Sequence, residues 1–121
     1  MGSYKDLVVW QKSIQLTKEI YRLIGLLPKE ETYCLSDQMR RAVVSISSNI
    51  AEGQARKNDK EFIQFLHIAK GSMAELETQL ITCREVGYFS QEQLEYSFNL
   101  CQQITVLLNN LISKIKGRTI A

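Results

Sequence analysis

The sequence predicts an all-α protein, an antiparallel up-down-up-down bundle of four helices forming a single domain over residues 1–121. Apolar residues recur at spacings of three and four along most of the chain, which is the periodicity of one helical face. The chain contains one proline and six glycines, which favours long, uninterrupted elements over a turn-rich β fold. Four such periodic stretches are joined by short connections, and short connections force successive helices to run antiparallel.

The first helix is predicted over about residues 6–27. Pro28 is expected to end it, because the residue before a proline avoids the α conformation. Its apolar residues form two adjacent seams: Val9, Leu16, Ile20, Leu23 and Leu27 make one, and Trp10, Ile14, Tyr21 and Ile24 make the other.

The second helix is predicted over about residues 32–55. Beside its inward-facing residues runs a polar stripe, in which Ser45, Ser48, Asn49 and Glu52 follow helical spacing. Serine and asparagine are mediocre helix formers, because their side chains compete for backbone hydrogen bonds. The inward-facing residues are Leu35, Met39, Val43, Ile46 and Ile50.

The third helix is predicted over about residues 59–86, with Asn58 or Asp59 as its cap and Gly87 as a left-handed stop. Its apolar spacing alternates strictly between four and three, which keeps one seam towards a partner helix along the whole length. That seam consists of Phe62, Leu66, Ala69, Met73, Leu76, Leu80 and Cys83.

The fourth helix is predicted to begin with a capping box made by Ser90 and Gln93. Like the first helix, it carries two apolar seams, which leaves two interpretations. Either the core stripe is wide, or part of the apolar surface is buried in an oligomer. The seams are Leu94, Phe98, Cys101, Leu108, Ile112 and Ile115, and Leu100, Ile104, Leu107 and Leu111.

The polar stripe of the second helix favours a close, hydrogen-bonded neighbour. The third helix offers a matching small patch at Ala69, Gly71, Ser72 and Ala74. One interpretation is a tight contact between helices or subunits; the alternative is a ligand site lined by Asn49 and Glu52. On the first interpretation, leucine at position 45 or 48 should disturb packing or assembly.

The sequence offers no combination of residues for catalysis or metal binding. His67 is the sole histidine, and Gln64 stands where a di-iron bundle would need a glutamate. Cys34, Cys83 and Cys101 lack CxxC spacing and are expected to be reduced, buried thiols of a cytoplasmic protein. We therefore expect no enzyme, no catalytic residue, no metal and no cofactor. Neither a signal peptide nor a membrane span is predicted, so a membrane partner is not expected.

The formal net charge of +2 permits a nucleic-acid partner without requiring one. Arg40 and Arg41 flank the polar stripe, and Arg56, Lys57 and Lys60 mark the turn between the second and third helices. These five residues are the nucleic-acid-binding candidates. They form either a phosphate-contacting patch or an ordinary solvated surface, and no aromatic residues interleave with them to stack on bases.

Four segments resemble a known family: "YKDLVVWQKSIQLTKEIY", "LSDQMRRAVVSISSNIAEG", "KEFIQFLHIAKGSMAELETQL" and the following "GY". The segments resemble a family of four-helix-bundle proteins that are encoded in intervening sequences of bacterial large-subunit rRNA genes. That family is itself similar to the accessory protein of diversity-generating retroelements. The resemblance covers about residues 4–116, and "SNIAEG" and "AELETQL" are its most specific parts.

The resemblance implies a bacterial, non-catalytic antiparallel bundle that assembles into a ring-shaped homopentamer. In the retroelement relatives it implies binding to nucleic acid and to a reverse transcriptase. Two functions follow as hypotheses. The protein binds RNA, DNA or a ribonucleoprotein through its basic surface, or it is a scaffold for a protein encoded nearby and does not touch nucleic acid.

Overall fold

The computed structural model describes residues 2–120, with side chains to residue 118, and shows the predicted all-α four-helix bundle. The helices are α1 (Val8–Ile24), α2 (Leu35–Gln54), α3 (Asp59–Glu85) and α4 (Gln91–Ile120). Two 3₁₀ turns, Tyr4–Asp6 and Lys29–Glu31, precede α1 and α2.

The four helices form the sides of a bundle in which α1 packs on α2 and α4, and α3 packs on the same two helices. Hydrogen bonds show the antiparallel order. Arg118 near the end of α4 binds Asp59 at the start of α3, and the Cys83 sulfur near the end of α3 lies 3.8 Å from the Met39 sulfur near the start of α2.

The predicted ends of α3 and the start of α4 are confirmed. The Asn58 side chain accepts the Glu61 N–H at 3.1 Å, and Gly87 has a φ of +88°. Ser90 and Gln93 exchange both bonds of the capping box, at 2.8 and 3.1 Å. These caps satisfy backbone groups that the helix itself leaves unpaired.

The predicted bounds of the first two helices were too wide. The helix α1 ends at Ile24, before Pro28 can act, because Leu26 and Leu27 donate to carbonyls only three residues back and tighten the chain into turns. The helix α2 begins at Leu35 because a 3₁₀ turn occupies the preceding residues and Cys34 has a non-helical backbone.

The core is made from the predicted seams. The first seam of α1 is buried except for half-buried Leu27, and the seam of α3 is buried throughout. Both seams of α4 lie in the core or half-buried at its edge, as a wide core stripe requires. In α1, by contrast, the second seam leaves Ile14 and Tyr21 exposed.

The helices α2 and α3 make the most extensive contact of the bundle. A methyl group added at Gly53 would stand 2.8 Å from the Phe65 Cβ and 2.9 Å from a Phe62 ring carbon, closer than real contacts allow. Gly71 has open space around it instead. The glycine that permits close approach is therefore Gly53, whereas the sequence suggested Gly71.

Candidate nucleic-acid interface

Although the net charge of the chain is small, basic and acidic residues are distributed unevenly along the bundle axis. Dividing each helix at its midpoint gives one half made of residues 2–16, 45–72 and 106–120, and a second half made of residues 17–44 and 73–105. The first has nine basic and four acidic residues, a net charge of +5, and the second has six basic and nine acidic residues, a net charge of −3. These two regions are called the basic half and the acidic half below.

Three of the predicted candidates, Arg56, Lys57 and Lys60, lie in the basic half at the short turn between α2 and α3. All three are exposed. The Arg56 guanidinium is engaged on two sides, 3.4 Å from a Glu52 oxygen and 4.8 Å above the Phe65 ring centre, a cation–π contact. The two lysines are the more available cations of this turn.

The basic half gains further cations from parts of the chain that are distant in sequence. A two-bond contact of Arg118 with Asp59, at 2.9 and 3.2 Å, fixes the last turns of α4 beside the turn between α2 and α3. Exposed Lys114 and Lys116 therefore lie at the same end of the bundle. These lysines are not among the five candidates predicted from the sequence, although adding charges by helix half would have found them.

The other two candidates, Arg40 and Arg41, lie in the acidic half. Arg41 lies 13 residues before the end of α2 at Gln54, which is about 20 Å at the helical rise, and Arg56 lies beyond that end. The Arg41 Nε donates to Asp37 at 3.0 Å, and the Arg40 guanidinium lies 5.6 Å above the Tyr21 ring. The five candidates thus form two separate groups, and both arginines of the second group lie within 4.0 Å of the same carboxylate, that of Asp37.

The polar stripe of α2 divides between an inner and an outer part. The Ser45 hydroxyl lies 2.8 Å from the Ser72 hydroxyl of α3, and the Asn49 amide donates to the Ser45 carbonyl and hydroxyl at 2.7 and 2.9 Å. Ser48 and Glu52 are exposed. Ser45 connects α2 to α3, and the Asn49 side-chain NH₂ donates to Ser45 of its own helix.

Two of the three cysteines are poorly suited to nucleophilic chemistry. Burial raises the pKa of the Cys83 thiol to about 11 and that of Cys101 to about 12, so both stay protonated at neutral pH. Cys34 is exposed, so the expectation that all three thiols are buried was wrong for this residue. In residues 2–120 no group of three or more His, Cys, Asp or Glu side chains is placed to hold a metal ion.

The sequence profile described as "23S rRNA-intervening sequence protein" matches residues 5–110. The chain belongs to this family. A solved structure from the S23 ribosomal protein family of Bacteroides thetaiotaomicron is similar, with a TM-score of 0.81 and 31% sequence identity. The match covers 87% of this chain and 98% of that one, and the Bacteroides protein is itself described as having unknown function.

No curated protein matches this chain. Within residues 2–120, none of the helices combines the length and the apolar character that crossing a membrane requires.

Proposed function

We propose that this family member is a non-catalytic RNA-binding protein whose basic half contacts the phosphate backbone. The observation that carries the proposal is the charge distribution: a net +5 gathered at one end of a bundle whose other half carries −3. Such an asymmetry orients a polyanion towards one end before any contact forms. The family description, which places these proteins with an rRNA intervening sequence, supports RNA as the polyanion.

Several cations of the basic half are available to a ligand. Lys5, Lys57, Lys60, Lys114 and Lys116 are exposed. Among residues 2–118, none of these five ammonium groups has a carboxylate within 4.0 Å. A lysine ammonium acts as a compact point charge towards phosphate, so these residues supply affinity rather than geometric selectivity.

The aromatic residues of the basic half are not available to stack on bases. Tyr4, Trp10 and Phe65 are half-buried and Phe62 is buried, and these are the aromatic residues of that half within the described chain. Sequence-specific RNA recognition generally uses splayed bases stacked on such side chains. We therefore expect backbone recognition of structured RNA with little dependence on its sequence.

A homopentamer, which the resemblance implies, would strengthen this binding, because five basic halves would act together on one RNA. The proposal does not depend on it, since the charge asymmetry belongs to the single chain.

The test is a salt series of RNA binding followed by fluorescence anisotropy, with an intervening-sequence stem-loop and an unrelated duplex RNA of equal length. We expect similar affinity for both RNAs and a steep loss of affinity as salt rises. The double variant Lys57→Ala/Lys60→Ala should weaken binding and reduce the salt slope by about two, which is about one per lost phosphate contact.

The matched control is Arg40→Ala/Arg41→Ala, which removes the same charge from the acidic half. It should leave the affinity and the salt slope close to wild type. An equal effect of both double variants, or no binding to either RNA at low salt, would contradict the proposal.

A second candidate function, a protein-interaction scaffold without direct nucleic-acid binding, is favoured by the opposite end of the molecule. There the connections between helices expose three large apolar side chains: Tyr33 by 93%, Leu26 by 59% and Val86 by 59%. Recovery of one specific protein after nuclease treatment, lost in a Leu26→Ser/Tyr33→Ser variant, would support this function.

A further inference from the structure

An open cleft of about 470 Å³ lies between α3 and α4. It places one carboxylate among an aromatic ring, an amide, a hydroxyl and an aliphatic group. The exposed lysines that are proposed to contact RNA belong to the basic half, so the cleft is separate from the candidate nucleic-acid interface. The residues that line the cleft are Glu77 of α3 and Phe98, Gln102, Thr105 and Val106 of α4.

The Glu77 carboxylate has no cationic partner among residues 2–118. The residue is half-buried, and no nitrogen of a basic side chain in that range lies within 4.0 Å of its carboxylate oxygens. Burial raises the pKa of this carboxyl above its ordinary value, as expected where no nearby cation compensates for lost hydration. A carboxylate held partly out of water without a counter-ion is unfavourable, and a bound cation would remove that cost.

The sequence around Glu77 keeps the cations of the chain at a distance. The facing stretch of α4, residues 96–113, contains no charged side chain. The nearest basic residues along α3 are Lys70 and Arg84, each about 10 Å away at the helical rise. Arg84 is already paired with Glu85 at 3.2 Å. The cation that this carboxylate favours must therefore come from outside the bundle.

The two neutral polar groups of the cleft, the Gln102 amide and the Thr105 hydroxyl, retain free hydrogen-bonding capacity. Other helical threonines, Thr17, Thr78 and Thr82, donate their hydroxyls to the carbonyl four residues back. Thr105 makes no such bond, and neither its hydroxyl nor the Gln102 amide has a hydrogen-bond partner within the described residues. Both side-chain oxygens are therefore available as acceptors.

These groups match a primary alkylammonium ion. An ammonium group donates three hydrogen bonds and accepts none, and the cleft offers three acceptors in Glu77, Gln102 and Thr105. The half-buried Phe98 ring supplies an aromatic face for the positive charge, and Val106 supplies an apolar surface for methylene groups. Calcium and magnesium ions fit this set less well, because they require a cage of oxygen ligands without apolar walls.

A second carboxylate, that of Glu95, lies on the same face of α4. Positions 95, 98, 102 and 105 are spaced by three and four, so Glu95 is one turn from Phe98, about 5 Å along the helix axis. Glu95 is exposed and has no basic side chain within 4.0 Å among residues 2–118. Two unpaired carboxylates beside one cleft favour a ligand with more than one ammonium group.

We propose that this cleft binds an aliphatic polyamine. One ammonium group is held by the Glu77 carboxylate and the two neutral acceptors, and the next is directed towards Glu95. The methylene groups between them lie against Phe98. The net charge of −3 on the acidic half, to which most of the cleft belongs, attracts such a polycation. The site is independent of the proposed RNA binding.

Isothermal titration calorimetry of the RNA-free protein with spermidine tests the proposal. We expect one saturable site per chain, whose affinity falls as salt rises. Glu77→Gln should weaken binding by about tenfold or more, the loss expected for a hydrogen bond to a charged group. The matched control is Glu75→Gln, which removes the same charge from an exposed position that points away from the cleft. It should change the affinity by less than about twofold, because distant charges are screened.

Two further measurements separate this site from misfolding and from a general attraction of cations. Glu77→Gln removes a desolvated charge, so its urea midpoint should equal or exceed that of wild type. n-Butylamine carries a single ammonium group and should bind several-fold more weakly than spermidine, and Glu95→Gln should narrow that difference.

Three results overturn the proposal. The first is the absence of saturable spermidine binding, and the second is an equal loss of affinity in Glu77→Gln and Glu75→Gln. The third is an affinity for n-butylamine equal to that for spermidine, or a difference between the two amines that Glu95→Gln leaves unchanged.

Discussion

The two halves of the bundle are held together differently. In the basic half, α2 and α3 are joined by the short turn 55–58, and small residues let the two helices approach closely, with the Ser45 and Ser72 hydroxyls 2.8 Å apart. In the acidic half, the longer connection 25–34 is tied to the α3–α4 connection by a 2.7 Å hydrogen bond from the Tyr88 hydroxyl to Glu31. Both halves share the buried apolar core, to which the basic half adds a close contact between two helices and the acidic half adds a polar tether. Substitutions at these two features should therefore have unequal effects.

The largest effect is expected for Ser45→Leu in the basic half. Leucine would have to fit where the Ser45 hydroxyl meets Ser72 and Asn49, so we expect a loss of about 1–3 kcal/mol from overpacking and about 1 kcal/mol more from the lost hydrogen bonds. The control is Ser48→Leu, at an exposed position, which should change the free energy of unfolding by less than about 0.5 kcal/mol. Urea denaturation measures the free energy of unfolding of both variants. Equal losses would mean that the inner and outer parts of the polar stripe do not differ in packing.

The next prediction is that alanine has different effects on stability at two glycines of similar sequence context, Gly53 and Gly71. Alanine is favoured over glycine in a helix by about 1 kcal/mol, so Gly71→Ala should stabilise the protein by about that amount, because nothing lies within 4 Å of the added methyl group. At Gly53 the same methyl group meets Phe62 and Phe65, and an overpacking cost of about 1–3 kcal/mol should cancel or exceed the gain. Identical shifts in the urea midpoint would contradict the close contact at Gly53.

A smaller loss of stability is expected when the polar tether of the acidic half, the hydrogen bond from Tyr88 to Glu31, is removed. Tyr88→Phe removes the hydrogen bond to Glu31 and should lower the urea midpoint. Tyr33→Phe, at a position 93% exposed, should not. The hydrogen bond to Glu31 raises the pKa of Tyr88 to about 12 from its ordinary value of about 10. Between pH 10 and 12 the unfolded chain therefore holds fewer protons at this residue than the folded protein, so the stability it contributes is present below pH 10 and is lost as pH rises through 12.

The comparison of wild type with Tyr88→Phe isolates this residue from the other groups that titrate in alkaline solution. The difference in urea midpoint should be constant from pH 7 to about 9 and should shrink above pH 10. A difference that persists unchanged beyond pH 12 would mean that the Tyr88 hydroxyl does not stabilise the folded protein through Glu31.

The sequence predicted the fold well because apolar periodicity and capping are local signals. Gly87 and the Ser90–Gln93 capping box could be identified from a few adjacent residues. The candidate interface was predicted only in part, because it depends on which helix ends meet. Lys116 joins Lys57 at one end of the bundle, whereas Arg41, closer to Lys57 in sequence, lies along α2 in the other half. Gly53 was likewise missed, since only the position of Phe65 on the facing helix reveals its role.

The smallest predicted effect is on RNA affinity, and it tests whether a charge in the basic half contributes more to RNA binding than a charge in the acidic half. Glu52 lies 3.4 Å from Arg56 in the basic half, and Glu85 lies 3.2 Å from Arg84 in the acidic half, so the two form exposed ion pairs of similar kind. Exposed pairs contribute little to stability, so neither Glu52→Gln nor Glu85→Gln should shift unfolding measurably. Each adds one positive charge, yet only Glu52→Gln raises the net charge of the basic half, from +5 to +6.

We therefore expect Glu52→Gln to tighten RNA binding by a factor of about two to three at low salt, and Glu85→Gln to leave it unchanged, because interactions beyond about 10 Å are screened at 0.1 M salt. The gain should vanish as salt rises, since it is electrostatic. If both variants tightened binding equally, the RNA would be responding to the total charge of the protein, and the division into two halves would have no role in recognition.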